Sequence, residues 1–71
     1  MNMMNKFKER LIEQRKLNKV TQRQMAEYLG IAQPSYIRYE NGTAEPNIEN
    51  LIKIADFFDV SIDYLCGREE Y

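Results

Sequence analysis

The chain has 71 residues and a formal net charge of −1, with no histidine and a single cysteine, Cys66. That inventory excludes a disulfide framework, a cysteine–histidine zinc site and any histidine-based catalytic triad. A chain of this size forms one domain, 1–71, which buries only about 60% of the surface its unfolded form exposes. No apolar run approaches the roughly 20 residues of a membrane span, and residues 1–8 lack the apolar core of a signal peptide. A cytosolic chain in a reducing cell is the expectation.

Charge is unevenly placed. Residues 1–38 carry eight cationic side chains against three acidic ones, and residues 39–71 carry two against eight. Such polarity can present a positive face to phosphates although the total is near zero; the other reading is a solvated acidic tail.

Residues 1–5 show no periodicity and read as a loose arm. Asn5 can cap a first helix running to about Leu17, with Phe7 and Leu11 as core positions. Gln14 follows on that stripe, with Leu17 or Ile12 as the apolar groups that compensate. Lys19 and Val20 connect to the next element, Val20 as a core plug. Thr21, with Gln24 three places on, is a capping box in which each side chain satisfies a free backbone N–H. Met25, Ala26 and Leu29 form one apolar stripe at helical period. Gly30 ends that helix in a left-handed cap, and Ile31 is an apolar residue in the turn.

The following helix starts near Gln33 and runs over about 33–41, with Pro34 tolerated in its first turn because the N–H it lacks has no partner there. At about 100° per residue, Gln33, Pro34, Ile37, Arg38 and Asn41 share one half of its circumference. Tyr36, Tyr39 and Glu40 share the other, with Ser35 at the border. An amide, a guanidinium and an apolar group on one outward face are the groups that read base edges in a major groove. Beyond a loop at 43–46, Asn47 caps a helix over 48–58. Its core arc is read as Ile48, Leu51, Ile52, Ile54, Ala55 and Phe58, with Phe57 off it near Asn50 and Lys53. Asp59 and Val60 turn the chain, Ser61 caps a last short helix through Cys66, Ile62 and Leu65 point inward, and Gly67 stops it. Residues 68–71 are a short tail. The fold class is therefore all-α, a compact five-helix bundle.

Taken in order, Thr21-Gln22, Ala26, Leu29-Gly30-Ile31, Tyr39-Glu40-Asn41-Gly42 and the run from Val60 to Leu65 resemble the phage repressor and Cro class of helix-turn-helix proteins, the XRE-like family. The resemblance covers about residues 6–68 and implies a lambda-repressor-like DNA-binding fold. It implies that the helix at 33–41 enters the major groove of double-stranded DNA. Gln22 becomes a phosphate or base contact, against an exposed helix-former. Gln33, at the end that enters the groove first, can bond adenine bidentately. Pro34 touches a thymine methyl or merely stiffens the helix start; Ser35 reaches a phosphate or a base. Ile37 packs on a thymine methyl or is a stray surface residue. Arg38 bonds guanine, grips a phosphate, or pairs with a nearby carboxylate. Asn41 offers an amide or backbone N–H to phosphate. Tyr36 and Tyr39 resemble base-stackers, but their wheel positions place them in the core. By resemblance Arg15 and Glu40 form a partly buried ion pair that orients the reading helix.

The chain departs from the family pattern in three places. Thr43-Ala44-Glu45 stands where relatives carry basic residues, Ala32 where a capping Ser or Thr is common, and Gln14 where many have Leu. The first predicts lower affinity or a different register.

One short helix reads few base pairs, so a homodimer on a palindromic operator is expected, with half-sites about one DNA turn apart. Phe57, Tyr64, Cys66 and Tyr71 are read as part of its two-fold interface, against padding of the core. The leading reading is a sequence-specific regulator, a repressor, associated with the nucleoid. Its alternative is an antitoxin-type protein-binding module, which the acidic second half favours. An enzyme lacks its residue supply: no nucleophile, metal set or phosphate-cradling glycine loop accompanies the carboxylates. No cofactor, membrane contact or small-molecule ligand is called for.

Overall fold

A computed structural model describes residues 3–69, with side chains from residue 6 onward. Five helices follow one another: α1 (Met3–Leu17), α2 (Gln22–Leu29), α3 (Gln33–Asn41), α4 (Ile48–Phe58) and α5 (Ile62–Leu65). There is no strand among the described residues. α1 packs on α3 and α5, α2 on α3 and α4, and α4 on α5. No helix is long and apolar enough to cross a membrane among the described residues.

Local chemistry sets the boundaries. The Thr21 hydroxyl accepts the Gln24 N–H at 3.0 Å while the Gln24 side chain accepts the Thr21 N–H at 2.8 Å. Asn47 caps α4 through the Asn50 N–H at 2.7 Å, and Ser61 caps α5 through the Tyr64 N–H at 2.9 Å. Gly30 and Gly42 close α2 and α3 at φ 71° and 79°, in the left-handed region where a Cβ is strained. Lys19 and Asp59 take the same conformation without being glycine.

Each helix contributes to one core: Phe7 and Leu11 from α1, Met25, Ala26 and Leu29 from α2, Tyr36 and Tyr39 from α3, Ile54, Ala55 and Phe58 from α4, and Tyr64 and Leu65 from α5. Val20 plugs its edge, as the sequence reading has it, and Ile31 of the turn packs against it as well.

Several expectations are corrected. α1 starts at Met3, so Asn5 lies inside the helix rather than capping it, and residues 3–5 are helix rather than arm. Gln14 is itself buried and donates to the Tyr64 hydroxyl, a long bond at 3.4 Å, whereas Leu17 is exposed and compensates nothing. On α4, Ile48 and Ile52 are 77% and 43% exposed, while Asn50 is buried with its amide 3.3 Å from the Tyr39 hydroxyl. The core takes the arc through Asn50, Ile54 and Phe58, and the apolar stripe is wider than the space below it. Ile62 is exposed rather than inward, and α5 ends at Leu65, one residue before Cys66.

Candidate nucleic-acid interface

α3 is seated by a buried carboxylate. Glu40, 6% exposed, accepts four hydrogen bonds. Arg15 of α1 gives two, Nε to Oε2 at 2.5 Å and Nη2 to Oε1 at 3.1 Å, a bidentate fork. The Tyr36 hydroxyl gives the third at 2.5 Å, and Gln22 Nε2 of α2 the fourth at 3.0 Å. Arg15 is held in turn by the carbonyl of Val20, 3.0 Å from Nη1. Three helices thus converge on one side chain, and no buried side-chain polar atom is left without a partner among the described residues.

The electrostatics follow from this packing. Burial pulls the Glu40 carboxyl upward, but the bonds from Arg15, Tyr36 and Gln22 outweigh it and hold it below the usual carboxylate range. Its bond to Glu40 pushes the Arg15 guanidinium up against the opposing effect of burial. Burial, then the hydrogen bond to Glu40, pushes the Tyr36 phenol well above the ordinary tyrosine range. The result is a single charge state, carboxylate with guanidinium and neutral phenol, over the range where proteins usually work.

With Tyr36, Tyr39 and Glu40 inside, the opposite side of α3 is fixed outward. Gln33, Pro34, Ser35, Arg38 and Asn41 are exposed, and Ile37 is half-buried. Arg38 has no ion-pair partner among the described residues, so the paired-carboxylate reading of it is not what this geometry holds. Ala32 provides no side-chain cap, and the first backbone N–H groups with carbonyl partners are those of Ser35 and Tyr36, both on Ala32 O. The outward surface is therefore built of side chains, an amide, a proline ring, a sec-butyl group and a guanidinium along about two turns.

Sequence reasoning brings Arg15 and Glu40 together correctly, yet misses Tyr36 and Gln22 as their partners. The i, i+4 spacing of Tyr36 and Glu40 was a usable signal; nothing local points to Gln22. That residue, expected at the nucleic acid, is half-buried and turns one amide N–H to Glu40, leaving the other without a partner among the described residues. Tyr64, expected at a two-fold interface, is 6% exposed: Arg10 lies 4.5 Å over its ring and Glu13 accepts its hydroxyl at 3.1 Å. Enclosure by α1 removes it from any surface a second copy would meet. Phe57 is exposed but leans on Tyr28, ring centroids 4.7 Å apart. Cys66 is half-buried, and burial, then the nearby Asp63, pushes its thiol up. Tyr71 lies outside the described residues.

A short all-helical bundle with a capped helix, a glycine turn and a second helix whose outer face is polar defines the helix-turn-helix class. The helix-turn-helix family model matches residues 11–65, and the chain belongs to that family. Among similar proteins, the cryptic phage CTXphi transcriptional repressor RstR of Vibrio cholerae serotype O1 is 56% identical over 63 residues, covering 89% of this chain and 56% of its own length. The uncharacterized HTH-type transcriptional regulator YqaE of Bacillus subtilis is 49% identical over 63 residues, 89% of this chain and 54% of its own. The HTH-type transcriptional activator BcrR of Enterococcus faecalis is 39% identical over 64 residues, 90% and 31% respectively. The chain thus spans about half the length, or less, of these relatives. No solved structure matches it significantly.

Proposed function

We infer that this chain is a sequence-specific, double-stranded-DNA-binding transcriptional regulator of the cytoplasm, one domain over 1–71, which lays the outer face of α3 in a major groove. The observation that carries this is the division of α3: a docked inner face of Tyr36, Tyr39 and Glu40, and an outer face of Gln33, Pro34, Ile37 and Arg38 turned away from the core. Gln33 and Arg38 supply the amide and guanidinium that pair with adenine and guanine edges, and Ile37 the apolar contact for a thymine methyl. Pro34 and Ser35 line the entry. Asn41 and the spare N–H of Gln22 approach phosphates on either side.

Repression is the favoured sign, supported by the repressor RstR at 56% identity, although a named activator also lies among the relatives. A homodimer on a palindromic site is proposed. The exposed Phe57 and the half-buried Cys66 are the described residues offered for that contact. Ile48 and Ile52, exposed one turn apart on α4, support a second reading, contact with a different protein. Light scattering across a concentration series separates the two, since only self-association depends on this chain alone.

The test of groove reading is selection of bound duplexes from a random pool, repeated with Arg38→Ala. The expected result is lost preference at one base position, about 1–3 kcal/mol. An unchanged preference reassigns Arg38 to phosphate, and failure to retard any duplex at low ionic strength ends the proposal.

A further inference from the structure

The loop that follows α3, Thr43-Ala44-Glu45-Pro46, carries no cation and one carboxylate. A cation nevertheless stands at that end of the helix, delivered from α1. Lys8 lies across Gly42: a Cβ built on the glycine would be 2.9 Å from Lys8 Cδ, 3.7 Å from Cε and 3.5 Å from Nζ. The φ of +79° calls for glycine at position 42, and the Lys8 stem lies over the place where a side chain would be. Lys8 is half-buried, yet its ammonium has no hydrogen bond or ion pair among the described residues. Its stem is packed against the protein and its charge is left uncommitted, beside Asn41 at the end of the proposed reading helix. A lysine held in this way loses less side-chain freedom when it meets an anion than one free in solution.

We propose that Lys8 is a DNA-backbone contact, a phosphate-binding residue that supplies from α1 the charge absent from the loop after α3. This rests on the DNA-binding reading above. It assigns Lys8 to affinity and to register of docking, and leaves choice of base to α3.

The test is the salt dependence of binding by the full chain, wild type against Lys8→Gln, on the duplex recovered by selection and on a scrambled duplex. Neutralising one phosphate releases condensed counterions, so the slope of log affinity against log salt should become shallower by about 0.9 for each bound protomer. Wild type should hold an advantage that shrinks about threefold per protomer between about 50 and 200 mM monovalent salt. The ratio of selected to scrambled duplex should not move, Lys8→Arg should restore the slope, and the variant should melt with wild type. Lys6→Gln is the matched control, because Lys6 sits on the same helix but packs on Gly67, at the end of α5. Equal slope changes for both lysines would reduce the effect to overall charge and overturn the proposal. So would an unchanged slope with a lowered melting point, which would make Lys8 a partner of the α3 C-terminal dipole. Wild type binding normally with an unaltered Lys8→Gln slope overturns this assignment alone; wild type failing on every duplex overturns the DNA reading with it.

Discussion

α3 and α4 invert the usual sorting of side chains, and in opposite ways. α3 hides a carboxylate and two tyrosines and leaves a sec-butyl group partly open, whereas α4 hides an amide and turns two isoleucines to solvent. In α3 the inward face is decided by directional bonds, four of them on Glu40, and polar groups go inside because their partners are waiting there. In α4 the decision is one of room: the arc facing α2 and α5 accommodates Asn50, Ile54, Ala55 and Phe58, and surplus apolar residues stay out. Polarity alone identifies neither face; a partner or a vacancy does.

The sharpest way to break this contrast is to remove the α3 anchor. Glu40→Ala strands the Arg15 guanidinium and the Tyr36 hydroxyl, at a cost of about 3–5 kcal/mol, enough to unfold much of a small domain. Urea denaturation should show that loss, and Arg15→Met with Glu40→Leu should recover a large part of it. A double-mutant cycle with no coupling would dismiss the anchor. On α4, Ile54→Ala should cost roughly 2–5 kcal/mol, while Ile48→Ala, a chemically identical change two turns away, should stay within about 0.5 kcal/mol. Equal effects in thermal melts would place both in the core.

Titration tests the α3 side at smaller amplitude. The Glu40 carboxyl is held below its unfolded value near ~4.3, so the native state binds fewer protons there. Its stabilisation is full above that value and is lost as pH falls through the lower native one. Tyr36 runs the other way: its phenol is raised, the unfolded chain ionises first, and stability should decline as pH rises beyond about 10. Tyr36→Phe should flatten that alkaline limb if Tyr36 is its source. The smallest expected effect is Asp59→Gly, which relieves a φ of 56° at the end of α4 and should stabilise by no more than about 1 kcal/mol.

Much of the fold was legible because its signals are local. The capping box at Thr21, the caps at Asn47 and Ser61, and Gly30 and Gly42 each act within four residues, and they mark both ends of α2 and the C-terminal end of α3. The division of α3 was legible too, since Tyr36, Tyr39 and Glu40 sit three and four apart. Long-range fit was not. Which of several apolar residues on α4 reach the core depends on where α2 and α5 lie, and so Ile48, Ile52 and Ile62 were misjudged. Tyr64 was misassigned for the same reason: its enclosure by Arg10, Glu13 and Gln14 spans about fifty residues of sequence. Of the candidate interface, the outer residues were readable from helical period, whereas the Gln22 link to Glu40 and the path of Lys8 over Gly42 exist only once the helices are assembled.

The seating of α3 has a consequence for how such a protein changes its target. None of the bonds to Glu40 involves position 33, 34, 37 or 38. Changing those four side chains leaves the Glu40 anchor intact, so on the proposed reading a new operator would be reached by rewriting the outer surface of one helix without rebuilding that anchor.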